Sequence, residues 1–269
     1  MIILGIIFFI IILVMFISAL GSIGQPSEQK SEEEEKKAQE QAVLEQKEYI
    51  SNLKKEFDDE VSSIPRFDIV PNFQTELERQ HLKDMPEIKF KNITKSFNPD
   101  SLPAYVVFDV ETTGLKAYSD RIIELSAILY EENEPISCFT TKINPGKPIP
   151  AAASEVNNIY DKDVSDAPSI SAVSGSFLEF IGSCPLVAYN ASFDLKFLYC
   201  SGIDLISLKN KVYDAYALAK KAYDSAYVKS YTLTDIANFN NIYFDAHDSL
   251  NDCYATGLVF QKSILEITY

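Results

Sequence analysis

The stretch YVVFDVETTG, residues 105–114, carries the strongest signals in the chain for both the fold and the chemistry. Its first four residues are β-branched or aromatic, which is typical of a buried strand. Asp109 and Glu111 follow, and side chains two residues apart on a strand point to the same face. Two like charges this close repel, and they persist most readily where a cation lies between them. The stretch therefore predicts a metal site at the end of a strand.

The pattern outward from this stretch predicts a mixed α/β fold. The apolar runs 122–130 and 136–143 are predicted strands, and their short connector is typical of a meander. Helices are predicted at about 169–181, 191–200, 215–226, 232–239 and 248–267, with further strands at 185–189 and near Val212. A meander followed by alternating helices and strands indicates a mixed sheet with helices on its faces.

A second cluster, NASFD at residues 190–194, follows the predicted strand 185–189. Asn190 suits the N-cap of the next helix. Asp194 falls in the first turn, where the helix dipole favours an anion. Plain helix capping would explain this cluster if it stood alone.

A third cluster, HDSLND at residues 247–252, opens the last predicted helix. His247 and Asp252 are more than one turn apart, but both can reach a shared site beyond the N-terminal end of the helix. His247 is one of two histidines in the chain and suits proton transfer near neutral pH. The alternative is a histidine at a helix start and a surface acid, and Asp248 is interpreted as a capping or surface acid.

Four carboxylates and a histidine fit metal-assisted hydrolysis of phosphodiesters. Carboxylate oxygens are hard ligands that suit Mg²⁺ or Mn²⁺. Two such ions, about 4 Å apart, stabilise the attacking and leaving oxygens of an in-line displacement. The clusters therefore predict two bound Mg²⁺ or Mn²⁺ ions and a nucleic-acid substrate.

In this order the clusters resemble the three exonuclease motifs of the DEDDh family, which includes the proofreading subunit of bacterial DNA polymerase III, ribonuclease T and oligoribonuclease. Asp109 and Glu111 match the acids of the first motif, and Asp194 in NASFD matches the second. His247 and Asp252 match the H-x4-D of the third, which marks the histidine branch rather than the tyrosine branch.

The resemblance covers roughly residues 104–267 and implies a ribonuclease H-like fold, a five-stranded mixed sheet whose second strand is antiparallel. It implies that Asp109, Glu111 and Asp252 bind the catalytic metal, with Asp109 bridging to a second ion, Asp194 near that ion, and His247 deprotonating the attacking water. It also implies contacts to the 3′-terminal nucleotide from Thr112, Leu115, Asn190 and Phe193.

Two positions depart from the family pattern without touching a predicted metal ligand. Tyr189 stands where many relatives have His, and NNIY at 157–160 stands where they commonly have His-Gly-Ile. These departures bear on nucleotide contacts and substrate preference.

The chain before the predicted domain divides into three segments. Residues 1–24 are predicted to be an uncleaved membrane anchor, because their apolar run is long enough to span a bilayer and lacks the basic start of a signal peptide, which is the alternative. Lysines after this run place the domain on the cytoplasmic side. Residues 25–64 are a predicted charged helical stalk. Its apolar residues Val43, Ile50, Phe57 and Ile64 recur every seven residues, so a homodimer through the stalk and a solvated single helix are both open.

Residues 65–103 are predicted to be a linker, part of which packs on the following domain, 104–269. His81 in this linker has no metal-binding company and is interpreted as a surface residue. Two other functions stay open, a non-catalytic module that binds nucleic-acid ends and a membrane adaptor with an enzymatic passenger.

The net charge of −15 limits the kind of substrate. Residues 1–100 and residues 101–269 each carry more acidic than basic side chains, so no segment-wide basic face is available to bind long DNA or RNA by counterion release. Four widely spaced cysteines make a zinc site a poor interpretation. The composition favours an enzyme that acts on strand ends or short oligomers.

Overall fold

The computed structural model describes residues 28–269 and has a five-stranded mixed sheet at its centre. The strands are β1 Ala104–Thr112, β2 Ile122–Glu131, β3 Glu134–Lys142, β4 Leu186–Ala188 and β5 Val212–Asp214. Their order across the sheet is β3-β2-β1-β4-β5. β2 runs antiparallel to β1 and β3, whereas β1, β4 and β5 run parallel. This arrangement confirms the predicted mixed sheet with its antiparallel second strand.

The α-helices of the described residues include those that the sequence pattern predicts. They are α1 Glu28–Ser63, α2 Ala151–Asn157, α3 Asp161–Val164, α4 Ile170–Ile181, α5 Ser192–Cys200, α6 Ala215–Ala222, α7 Leu233–Phe239 and α8 Ser249–Thr268. The short helices α2 and α3 are not predicted from sequence, because Pro148 and Pro150 interrupt the pattern there and neither helix is long enough to show a period.

Side-chain alternation on β1 creates two cores. Tyr105 and Val107 face the core that α8 helps to form, while Phe108 and its even-numbered neighbours face the core formed with α4 and α5. The row that begins with Tyr105 continues through Asp109 and Glu111. Because α8 packs against β1 and β2, both acids lie on the same face of the sheet as this helix.

The predicted linker pairs with both edges of the sheet. On one edge, Phe67 N donates to Cys138 O of β3 at 2.7 Å. On the other, Lys91 N donates to Val212 O of β5 at 2.7 Å. Unpaired edge strands invite pairing with other chains, so this segment protects the sheet. The compact unit that contains the sheet begins at Leu53, well before the predicted domain start at 104.

The end of α1 contributes to the core. Phe57 and Ile64, two members of the predicted seven-residue repeat, are buried among residues of the sheet unit, whereas Val43 is 51% exposed. Side chains buried in their own chain cannot form a dimer seam, so Phe57 and Ile64 do not serve that role. Dimer formation through Val43 and Ile50 stays a prediction.

We expect Phe57→Ala to lower the free energy of unfolding by about 3–5 kcal/mol, the usual cost of emptying a phenylalanine site in a core. The Phe57 ring lies 5.4 Å from the ring of Phe244 and 5.1 Å from that of Tyr254. Urea unfolding followed by circular dichroism measures the change. Val43→Ala, on the same helix but exposed, is the control and should shift the value by less than about 0.5 kcal/mol. Equal shifts would contradict this packing.

The predicted membrane anchor, residues 1–24, lies outside the described residues, and both the anchor and its orientation stay predictions. Among residues 28–269, none of the helices combines the length and the apolar character that a membrane crossing requires.

Candidate active site

Two of the predicted metal ligands lie side by side at the end of β1. Asp109 and Glu111 share the face that α8 covers, and Glu111 is paired across the ladder with Glu124 of β2. The register shifts directly after Glu111, where Thr112 pairs with Ile122. The strand therefore presents both acids just before its regular pairing ends.

The start of α8 brings the third cluster to these acids. Asp248 is the N-cap, and its carboxylate accepts hydrogen bonds from Leu250 N and Asn251 N at 3.1 Å, which confirms the capping interpretation. His247 N donates to Asp252 Oδ2 at 3.3 Å. One ring nitrogen of His247 and one carboxylate oxygen each from Glu111 and Asp252 all lie within 4.8 Å of one another.

Asp194 reaches the same end of β1 from the first turn of α5. Its side chain is 2% exposed, and its Oδ1 accepts a hydrogen bond from Val110 N at 3.3 Å, between the two acids of the strand. The sequence pattern predicts that Asn190 caps α5, and this prediction is wrong. Asn190 has a positive φ of 60°, and the N-cap position is Ala191, which offers no side-chain oxygen.

The four carboxylates act electrostatically on one another. Burial, followed by the charges of Asp194, Asp252 and Glu111, raises the pKa of Asp109 well above its usual value. Burial and the charge of Asp252 raise the pKa of Glu111 to about 8, and burial raises that of Asp194 to about 8 and that of Asp252 to about 7. Four acids that resist ionisation together form a site that a multivalent cation would stabilise.

An unpartnered oxygen supports a cation at this site. Oδ1 of Asp252 is buried and has no hydrogen-bond partner in the described part of the chain. Buried polar atoms normally have partners, and an oxygen without one calls for an ion or a water. The groups around it include carboxylate oxygens, the ligand type that suits Mg²⁺ or Mn²⁺. The residues present therefore fit a divalent metal.

Three of the four predicted nucleotide contacts line one groove. Leu115, Asn190 and Phe193 border a groove of 420 Å³, and the Leu115 side chain is 84% exposed. Thr112 is buried instead, does not line this groove, and donates from Oγ1 to Gly114 O at 2.7 Å. Leu115, Asn190 and Phe193 are thus available to a ligand, whereas the Thr112 hydroxyl supports the turn.

The turn after β1 is held by residues on both sides. A Cβ at Gly114 would lie 2.6 Å from Oδ2 of Asp120, so a larger residue there would displace the carboxylate of the same turn. The same oxygen accepts a hydrogen bond from Lys116 N at 2.8 Å. Asn157, where the family commonly has His, is buried and donates from Nδ2 to Thr112 O at 3.3 Å. This departure from the family pattern supports the end of β1.

Glu124 is a fifth acid at the site, and sequence reasoning missed it. It is 5% exposed and accepts hydrogen bonds from Lys142 Nζ at 2.6 Å and from Ser249 N, in the first turn of α8, at 3.2 Å. It therefore joins β2, β3 and the helix that carries Asp252. The available signal was that Glu124 is the single acid in the largely apolar run 122–130.

We expect Glu124→Gln to lower the cleavage rate by roughly 10–100-fold, the usual effect of removing a residue that orients metal ligands. An amide carries one acceptor oxygen, so it cannot serve both Lys142 and Ser249 N as the carboxylate does. Glu131→Gln, exposed at the end of the same strand, is the control and should leave the rate unchanged. Single-turnover rates at saturating Mn²⁺ measure the effect, and equal rates in the two variants would remove Glu124 from this role.

Comparison with known proteins identifies the family. The model of the RNase T-type exonuclease family, described as "Exonuclease", matches residues 106–260, more than half of the chain. The chain belongs to this exonuclease family. With the motif residues in place, it falls in the DEDDh branch of this family.

Curated members of the exonuclease family show the same relationship. The chain is 37% identical over 137 residues to the DNA polymerase III subunit epsilon of Treponema pallidum, and the matched region covers 50% of this chain and 63% of the relative. It is 37% identical over 164 residues to the PolC-type DNA polymerase III of Bacillus subtilis, which covers 60% of this chain and 11% of the relative. The chain thus spans a small part of the PolC-type polymerases it matches.

Solved structures agree on the exonuclease fold. Exonuclease I superposes with a TM-score of 0.52 at 18% identity, covering 60% of this chain and 40% of that chain. Exonuclease X in complex with 5′ overhanging duplex DNA superposes with a TM-score of 0.50 at 20% identity, and the match covers 61% of this chain and 93% of exonuclease X. At these identities the likeness supports the ribonuclease H-like fold alone.

Proposed function

We propose that this chain is a metal-dependent 3′→5′ exonuclease that releases nucleoside monophosphates from single-stranded or short nucleic-acid ends. The observation that carries the proposal is the convergence of a His247 ring nitrogen with carboxylate oxygens of Glu111 and Asp252 within 4.8 Å. The match to the exonuclease family supports the interpretation of this cluster as a nuclease active site. A non-catalytic end-binding module would be favoured by loss of a carboxylate or the histidine, and none is lost.

We propose that Asp109, Glu111 and Asp252 hold one Mg²⁺ or Mn²⁺ ion and that Asp109 and Asp194 hold a second. When bound, such ions stabilise negative charge on the attacking and leaving oxygens of a phosphoryl displacement. The carboxylates lie close together at a partly buried strand end and ionise together most readily around a multivalent cation. Glu124 keeps the start of α8, and with it Asp252, against β2.

His247 is the proposed general base. Its side chain is exposed at the start of α8, where water and a nucleic-acid end can reach it. A neutral imidazole has one acceptor nitrogen, which can take a proton from an attacking water. The hydrogen bond from His247 N to Asp252 Oδ2 ties the position of this residue to the acid beside it. The start of α8 therefore carries both the proposed base and one proposed metal ligand, Asp252.

The proposed substrate is a strand end. The groove that Leu115, Asn190 and Phe193 line offers apolar and aromatic surface to a nucleotide base. The net charge of −15 opposes binding along a long duplex. Exonuclease I, similar to this chain in fold, has been crystallised with a dT13 oligonucleotide, which is consistent with a single-stranded substrate.

The position of a label on the strand tests this proposal. The purified full chain is incubated in Mg²⁺ with single-stranded DNA or RNA that carries a label at the 5′ or the 3′ end. A 3′→5′ exonuclease turns the 5′ label into a ladder that shortens by single nucleotides, and it releases the 3′ label at once as a monophosphate. Intact strands of both nucleic acids, or release of the 5′ label first, would overturn it.

A further inference from the structure

The groove beside the candidate active site has an outer wall, defined as its lining residues Leu82, Lys116, Tyr118 and Lys196, and part of this wall lies outside the matched family domain. Its lining includes Leu82, whereas the family match begins at residue 106. The groove is also lined by Tyr118, in the turn after β1, and by Lys196 of α5. Leu115, Asn190 and Phe193 are assigned to the terminal nucleotide, so these other lining residues have no role in the proposed function.

The outer wall is held in place by specific contacts. Arg79 Nη2 donates to Ala117 O at 2.9 Å and to Tyr118 O at 2.7 Å, which fixes the segment before Leu82 against the turn after β1. The His81 ring stacks on the Tyr118 ring with centroids 4.6 Å apart and planes 25° apart. The Tyr118 side chain nevertheless remains 50% exposed. The groove therefore borders a preformed aromatic surface.

Two positive charges border the same groove. Lys116 and Lys196 line it, and both residues are exposed. No carboxylate lies within ion-pairing distance of either ammonium group among the described residues. In a chain of net charge −15, two unpaired lysines beside an aromatic surface complement a phosphate that is attached to a base.

We propose that this outer wall binds the second nucleotide from the 3′ end of a single strand. The base of this nucleotide stacks on the Tyr118 ring, which in turn stacks on His81. The phosphate of the same nucleotide lies beside Lys116 and Lys196. The site rests on the proposed function and narrows it, because it favours unpaired ends of two or more nucleotides over mononucleotide esters. A base is the fitting occupant, since every base has a face that stacks on an aromatic ring.

Two substrates of different length test the site in the full chain. A ten-residue thymidine oligonucleotide uses both nucleotide positions, whereas the p-nitrophenyl ester of thymidine 5′-monophosphate has a leaving group but no second base, sugar or phosphate. With Tyr118→Ala we expect KM for the oligonucleotide to rise about tenfold, in line with the loss of one base–aromatic stack. The value of kcat/KM for the ester should stay within about twofold of wild type. Tyr118→Phe, which keeps the ring, should retain the wild-type KM.

The control is Tyr227→Ala, which removes a tyrosine that is 77% exposed and outside the groove, and should change neither substrate. An unchanged oligonucleotide KM in Tyr118→Ala, or an equal loss on both substrates, would overturn the second-nucleotide site while leaving the exonuclease proposal intact. Failure of the wild-type chain to hydrolyse either substrate would instead overturn the proposed function, and the site with it.

Discussion

Asp109→Asn is expected to lower the rate of 3′-end cleavage by about 10³-fold or more without unfolding the chain. Asp109 is buried with the other acids of the site, and the charges of Asp194, Asp252 and Glu111 all raise its pKa. Metal ions contribute several kcal/mol to phosphoryl transfer, and about 4 kcal/mol corresponds to roughly 10³ in rate. Rates on a 5′-labelled single strand at saturating Mg²⁺ measure the loss.

A stability measurement separates this loss from misfolding. Asp109→Asn removes one of several like charges that repel one another, so in the presence of a chelator its Tm should equal or exceed that of the wild type. Asp166→Asn, an exposed acid away from the cluster, is the control and should keep full activity. A variant that stays folded and cleaves at the wild-type rate would remove Asp109 from the metal site.

His247→Ala is expected to lower kcat by roughly 10²–10⁴-fold, because a general base usually contributes a factor of this size to the rate. The affinity for Mn²⁺ should stay unchanged. His247 is exposed, and it bonds Asp252 through its backbone N–H, so removal of the ring leaves that hydrogen bond possible. Single-turnover rates report the chemical step, and calorimetry reports metal binding.

The second histidine of the chain provides a matched contrast. His81→Ala should leave kcat for the ester unchanged, because His81 stacks on Tyr118 and is not among the residues that converge with Glu111. An unimpaired rate in His247→Ala would remove this residue from the role of base. Loss of Mn²⁺ binding in that variant would make it a metal ligand instead.

The sheet and the acids were predictable because their signals are local. Alternation along β1 places Asp109 and Glu111 on one face, and the short distance along the chain at the start of α8 keeps His247 and Asp252 at one end. Each inference needs only the residues of one element. The order of the three clusters then indicated the DEDDh family, which none of the motifs indicates by itself.

Other features depend on pairings between distant segments, which no local pattern contains. Glu124 joins the site through the register of β2 against β1, which pairs it with Glu111. The segment before the sheet was predicted to be a linker, but its pairing with β3 and β5 needs both sheet edges to be known. His81 is exposed, as predicted for a surface residue, yet it stacks on Tyr118, 37 positions away along the chain.

The dependence of the cleavage rate on Mn²⁺ concentration tests the metal site most directly. The full chain is treated with a chelator, dialysed, and assayed on a 5′-labelled single strand as Mn²⁺ is added back. Carboxylates that gather around a cation predict no cleavage without metal, and a rate that rises with the occupancy of two ions. Cleavage at the full rate in the continued presence of chelator would contradict the account.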